Sequence, residues 1–297
     1  MLDRRVFLGA VAGVGLLSAF PAGAKKTGAF GTKRLHDAIA ALDRESGGRL
    51  GVSVLDKASG ARFAWRGGER FAMCSTFKFP LSAATLHRVH RGLERLDRRV
   101  PIGKSDMVPN SPVTEKLVGG HATVAQLCEG TITLSDNAAA NLLLAPLGGP
   151  RGFTRFMRAA GDPVTRLDRT EPEMNGVLPG GDPRDTTTPD AMTGDLERFL
   201  LGGVLKPASR AQLLAWMYAT KTGANRIRAG IPTDWRLAHK TGTSGKGHHN
   251  DVGLIQPPGR APLLISIYLA DSTLGDDAAE AILARATRAV IADIPSA

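Results

Sequence analysis

Along residues 33–44 the apolar positions Leu35, Ile39 and Leu42 follow an i, i+4, i+7 spacing, which predicts an amphipathic helix. Leu50, Val52 and Val54 then alternate with Gly51 and Ser53, the period of a half-buried strand. Ser59-Gly60 turns the chain into a second strand over 61–65. From Ser75 to about Ala219 the pattern is mostly helical and broken by loops, with no internal repeat or low-complexity tract. Towards the end a strand over 251–255 meets the turn Pro257-Pro258-Gly259-Arg260; a strand over 262–269 and a helix over 276–291 follow. Strands at both ends with helices between them predict an α/β lobe built from both termini (25–68 with 215–297) around an inserted helical lobe (69–214). A cleft between two such lobes is a frequent place for a site.

Residues 1–24 stand apart. Arg4-Arg5-Val6-Phe7-Leu8 opens them, an apolar run covers 9–20, and Ala22-Gly23-Ala24 offers a small-residue cleavage site. That order describes an export signal cleaved after Ala24, and the paired arginines resemble a twin-arginine signal of bacteria. The mature chain is expected to be a soluble periplasmic or secreted monomer without a stable membrane anchor.

Composition narrows the partners. With 42% hydrophobic residues, 297 positions suffice for one large core or two joined lobes. The formal net charge of +10 could draw nucleic acid, an anionic membrane or small anions. Aromatic residues are only 5% and do not interleave with the basic ones, so base stacking has no support and no nucleic-acid partner is expected. Cys74 and Cys128 could pair in an exported protein, but spacing alone does not decide it. Cys74 reads as a small buried hydrophobe. No Cys/His spacing suits zinc, and His248-His249 reads as part of a glycine-rich loop, so neither metal nor cofactor is expected.

The chemistry gathers in four motifs. In Cys74-Ser75-Thr76-Phe77-Lys78, a serine and a lysine lie three apart ahead of the apolar helical run Phe79, Leu81, Ala83, Ala84, Leu86. On a helix they share a face, and a desolvated lysine can serve as the base that a serine nucleophile needs. Ser135-Asp136-Asn137 precedes another apolar helical run; all three are good N-caps, and the serine and asparagine would present a hydroxyl and an amide at a helix start. His239-Lys240-Thr241-Gly242-Thr243 reads as an edge strand carrying a lysine and hydroxyls, with a glycine that lets a ligand approach the backbone. Arg166-Leu167-Asp168-Arg169-Thr170-Glu171-Pro172-Glu173-Met174-Asn175 places Glu171 and Asn175 four apart, where both could hold one water.

In that order S-x-x-K, S-D-N and K-T-G resemble the serine-reactive penicillin-recognising enzymes, and the glutamate segment looks like the omega loop of class A β-lactamases. The resemblance implies an antiparallel five-stranded sheet flanked by helices, built from both chain ends, with an inserted helical lobe and the active site in the cleft between them. It implies hydrolysis of the β-lactam amide of penicillins and cephalosporins through an acyl-enzyme on Ser75. Lys78 or Glu171 would take the Ser75 proton, Ser135 would protonate the leaving nitrogen, and Glu171 with Asn175 would activate the deacylating water. The backbone N–H groups of Ser75 and Thr243 would form the oxyanion hole, and Asn137 would hold the substrate's side-chain amide. Lys240, Thr241, Gly242 and Thr243, with Arg226 as the added arginine, would bind the ring carboxylate. Arg169 and Asp185 would close the neck of the loop, and the extra glycine at Gly180-Gly181 would loosen it. Ser244 stands where certain carbapenemases carry a cysteine bonded to the one before the nucleophile, which implies that Cys74 lacks that partner. Glu171 in its E-P-E-x-N setting argues against a cell-wall DD-peptidase, and the missing membrane and regulatory segments argue against a penicillin sensor.

Overall fold

In the computed structural model, which describes residues 30–176 and 181–294, the two ends of the chain meet in one five-stranded antiparallel sheet. The elements in chain order are α1 (Lys33–Glu45), β1 (Arg49–Asp56), β2 (Arg62–Trp65), β3 (Phe71–Ala72) and α2 (Lys78–His90). Next come β4 (Arg99–Pro101), β5 (His121–Thr123), α3 (Val124–Thr133), α4 (Asn137–Leu144) and α5 (Gly149–Ala159). They are followed by β6 (Thr186–Thr187), α6 (Pro189–Leu196), α7 (Pro207–Tyr218) and α8 (Ile227–Gly230). The chain ends with β7 (Arg236–Ser244), β8 (His248–Gln256), β9 (Leu263–Ala270) and α9 (Asp276–Ala292). The sheet order is β2-β1-β9-β8-β7, so the last strand of the chain lies at its centre and β7 at an edge. The signal expected over 1–24 and Gly180 of the glycine pair lie outside the described residues.

Each side of the sheet is covered. On one side Ile265, Ile267 and Leu269 of β9 pack with Leu35 and Ile39 of α1 and Leu283 of α9. On the other, Leu264, Tyr268 and Ala270 join the core that contains Phe71, Phe77, Phe79 and Met192. Strand β1 is therefore buried on both faces and not half-buried as its alternation suggests. Its polar face meets α6: Ser53 Oγ donates to Asp190 Oδ1 at 2.7 Å, and a Cβ on Gly51 would lie 2.6 Å from Phe71. The chemistry of a neighbouring helix, invisible to strand periodicity, accommodates those positions.

Helix α2 is the axis of the helical side, with every residue from Lys78 to Leu86 buried. Such an all-round burial marks a central helix. Two details depart from the sequence reading. The lobe boundary expected at 214/215 falls inside α7, whose Leu213, Trp216 and Met217 share one core with α2, so the helix crosses it intact. His248 and His249 are buried strand residues paired with Ser244 and Thr243, because the β7–β8 hairpin continues through the glycine-rich stretch. Cys74 and Cys128 are free and buried. Burial, then the charge of Glu171, pushes the Cys74 thiol up to about 12 against an opposing influence of Ser244.

One buried acid pair joins α6 to the segment after α5. The Oδ2 atoms of Asp195 and Asp162 have no conventional donor among the described residues. Burial, then the charge of Asp162, raises the Asp195 carboxyl well above the usual range, although Arg198 lies 3.0 Å away. A proton held by Asp195 and donated to Asp162 accounts for both observations. Such a carboxyl contributes stability below its unfolded pKa of about 3.9, and this contribution is lost as pH rises through the raised folded value. Asp195→Asn keeps a donor that does not ionise. Its melting temperature relative to the parent should therefore rise from pH 5 to pH 8; an equal difference at both pH values would contradict the shared proton.

Candidate active site

A single 3₁₀ turn, Cys74–Phe77, leads into α2 and carries Ser75 just ahead of the helix. Cys74 adopts φ +46°, a bend that sets the serine apart from the regular helix path. Lys78, one turn on, is fully buried and reaches back so that Nζ donates to Ser75 Oγ at 2.9 Å. The same ammonium donates to Ser135 O at 2.9 Å and Oγ at 3.3 Å, and to Asn137 Oδ1. It also lies 3.1 Å from Glu171 Oε1. Burial is the largest influence on Lys78 and lowers its pKa, against the opposing pull of Glu171.

Ser135 is held in the left-handed region at φ +60°. A non-glycine residue there costs on the order of 1 kcal/mol. Asp136 holds the bend in place. Its buried carboxylate caps α4 through Ala139 N at 2.8 Å and accepts from Val113 N at 2.8 Å, Thr114 N at 2.9 Å and Thr114 Oγ1 at 2.9 Å. Ser135 Oγ consequently sits between two lysines, since Lys240 Nζ donates to it at 3.1 Å and to Thr241 O at 2.7 Å. Burial and then the charge of Lys78 lower the Lys240 pKa well below the ordinary lysine value.

Glu171 is placed by its backbone. Asn141 of α4 accepts from Glu171 N at 3.0 Å and donates to Glu171 O at 2.9 Å, clamping that peptide from both sides. The carboxylate is buried, with Oε1 3.4 Å from Ser75 Oγ and Oε2 accepting from Asn175 Nδ2 at 2.5 Å. At the neck of this segment Arg169 Nε donates to Asp185 Oδ2 at 2.6 Å, and Asp185 also accepts from the backbone N–H groups of Asp168 and Arg169. Met73 N donates to Asp185 O at 3.0 Å, which ties this neck to the chain entering the Ser75 turn.

The opposite wall is β7. Gly242 lies so close to that turn that a Cβ on it would sit 2.7 Å from Met73 O and 3.1 Å from Thr76 N. Thr241 Oγ1 bonds Thr222 Oγ1 at 2.7 Å. Arg226 is buried with its donors engaged: Nε on Glu280 at 2.9 Å, Nη1 on Gly242 O at 3.0 Å and Asn250 O at 2.9 Å, and Nη2 on Thr243 Oγ1 at 2.7 Å. Ser75, Ser135, Asn137, Asn175, Thr241, Gly242 and Thr243 line a cleft of about 450 Å³ with Lys78, Glu171 and Lys240 buried behind it, although Arg226 braces β7 and Thr243 and does not extend a free fork into it. Asn137 divides its amide, accepting from Lys78 and donating to Pro109 O at 2.8 Å. Asn110 lines the cleft and its Nδ2 donates to Ser135 O at 3.0 Å; sequence reasoning missed the Asn141 clamp, Thr222 and Glu280. None belongs to a short motif with its partner, so no local signal exposes them. Among the described residues no group of three or more His, Cys, Asp or Glu could hold a metal ion.

The family model described as the Beta-lactamase enzyme family matches residues 34–294. Beta-lactamase CTX-M-8 of Citrobacter amalonaticus is 45% identical over 252 residues, covering 85% of this chain and 86% of that protein. The carbapenem-hydrolyzing beta-lactamase KPC of Klebsiella oxytoca is 43% identical over 258 residues, 86% of this chain and 88% of that one. Among solved structures, an ancestral (GNCA) class A beta-lactamase superposes with a TM-score of 0.85 at 58% identity, covering 87% of this chain and 99% of that chain.

Removing the Asp136 carboxylate strands several buried donors at once, each costing about 1–3 kcal/mol. Asp136→Ala should lower unfolding stability by at least about 3 kcal/mol in urea titrations. A loss below about 1 kcal/mol would show that the turn holds its shape without the carboxylate.

Proposed function

The chain belongs to the class A serine β-lactamases and hydrolyses the β-lactam amide by way of a serine acyl-enzyme, and from that premise we propose the following roles for its residues. The observation that carries them is the closed set of contacts at Lys78, which places one buried nitrogen 2.9 Å from Ser75 Oγ and 3.1 Å from Glu171 Oε1, with Ser135 alongside.

Ser75 Oγ attacks the lactam carbonyl and gives its proton to Lys78, the nearest nitrogen, whose ammonium form burial disfavours. The developing oxyanion is held by the backbone N–H groups of Ser75 and Thr243; one such donor is typically worth about 3–4 kcal/mol of barrier. As the C–N bond breaks, Ser135, in contact with both Lys78 and Lys240, passes a proton to the leaving nitrogen. A water between Glu171 and Asn175 then attacks the ester carbonyl. Glu171 takes the water's proton, and the leaving Ser75 oxygen regains a proton from the same network. Asn175 Oδ1 is buried and has no donor among the described residues, which suits an acceptor facing that water.

The substrate's ring carboxylate lies along β7 against Lys240, Thr241, Gly242 and Thr243. Arg226 acts behind them, orienting the Thr243 hydroxyl and adding positive charge. Asn137 and the residues beside it receive the side-chain amide, and Asn110 lines the same cleft. The substrates are penicillins and cephalosporins. The first 24 residues act as a twin-arginine-type signal cleaved after Ala24, and the enzyme works outside the cytoplasm. Among the described residues no helix is long and apolar enough to cross a membrane. The enzyme acts as a monomer whose helical lobe is inserted between the two parts of an α/β lobe.

Two variants separate the steps. Ser75→Ala should form no covalent penicillin adduct by intact mass while remaining folded, and labelling of another residue would displace Ser75 as nucleophile. Glu171→Gln should acylate but release product at least about a hundredfold more slowly, so the adduct accumulates. Turnover of that variant at the parent rate would remove Glu171 from the deacylation step.

A further inference from the structure

Helix α5 carries Arg151, Arg155 and Arg158 at i, i+4, i+7 on its exposed face, opposite the buried Phe153 and Met157. These three, with Arg166, Thr154 and Asp168, line a second cleft of about 560 Å³ beside the start of the Glu171 segment. Four guanidinium groups thus face one carboxylate, and that carboxylate is occupied: Arg166 Nε donates to Asp168 Oδ2 at 2.8 Å. Arg158 uses Nη1 on Asp162 O and Thr165 O, both at 2.7 Å. Arg151 and Arg155 make no ion pair or side-chain hydrogen bond among the described residues. Arg70 adjoins the cluster, bonding Val164 O at 3.2 Å. Burial, then the charges of Arg166 and Arg158, pulls its pKa below the ordinary arginine value. Asp168 answers Arg166, so the cations of this cleft without an acidic partner among the described residues are Arg151, Arg155 and Arg158.

We propose that this cleft binds a phosphate-rich anion, either a soluble oligophosphate or a lipid phosphate headgroup, through the forks of Arg151, Arg155 and Arg158. Planar guanidinium groups pair bidentately with phosphate oxygens, and three arginines without an acidic partner in one concavity suit a multiply charged anion. The single carboxylate of a β-lactam would leave most of that charge unmatched. Thr154 does not compete for the ligand, since its hydroxyl bonds Leu167 O at 3.0 Å.

The test is calorimetric titration of the full mature chain with sodium tripolyphosphate, alongside co-sedimentation with phosphatidylglycerol vesicles. The Arg151→Ala/Arg155→Ala double variant removes the two unpaired cations from an exposed face, and its cephalosporin turnover should equal the parent's. Arg285→Ala, an exposed arginine paired with Glu45, controls for overall charge. Expected is saturable one-to-one binding that weakens at least about tenfold in the double variant and little in the control. It should also weaken as salt rises from about 20 to 200 mM. Variant-dependent binding to tripolyphosphate assigns a soluble anion; variant-dependent binding confined to vesicles assigns a lipid headgroup. Binding that the double variant leaves unchanged in both arms, or that Arg285→Ala weakens equally, overturns the proposal.

Discussion

A lysine ammonium carries three protons and no acceptor, and taking it out of water costs several kcal/mol unless its surroundings supply oxygens. Lys78 is fully buried, and the structure surrounds it with Ser75 Oγ, Ser135 O and Oγ, Asn137 Oδ1 and Glu171 Oε1. Those atoms come from a turn, a strained bend, a helix start and a loop whose residues span from 75 to 171 in sequence. Meeting the demands of one buried cation therefore fixes the relative positions of Ser75, Ser135, Asn137 and Glu171. The compensation is incomplete, because burial still lowers the Lys78 pKa, and that shortfall suits it to accept a proton.

Around this centre a second set of contacts fixes positions without offering a reactive atom. Asp136 holds the Ser135 bend, Asn141 grips the Glu171 peptide from both sides, and Arg169 with Asp185 closes the neck of the same segment. Arg226 performs the equivalent task for β7, engaging Gly242 O and Thr243 Oγ1. Rapid deacylation needs a water held in line with the ester, and a base clamped at its own backbone meets that need better than one on a free loop. In the proposed mechanism Asn141 and Asp185 therefore support deacylation by fixing Glu171 and its loop.

Much of this was legible in the sequence where cause and consequence lie close together. Ser75 and Lys78 are one helical turn apart, Glu171 and Asn175 are four apart, and the motifs carrying them resemble a known family closely enough to imply the sheet and its helical insert. What stayed hidden depends on contacts across the chain. Asn141 meets Glu171 from thirty positions away. Nothing near Arg226 indicates that Glu280, Gly242 and Asn250 would take up its donors. Strand β1 alternates like a half-exposed strand, but α6 supplies partners to its polar face. The run around His248 reads as a glycine loop until its pairing with β7 is known.

The most direct test of this account follows Lys78 itself. In protein labelled with [13Cε]lysine, the Lys78 resonance can be assigned by its absence in Lys78→Arg and followed through a pH titration of the unliganded enzyme. A midpoint clearly below those of the surface lysines, which titrate near about 10.4, is the predicted result. A Lys78 signal that titrates together with the surface lysines would show an ammonium fully stabilised by its neighbours, and the proton taken from Ser75 would then need another acceptor.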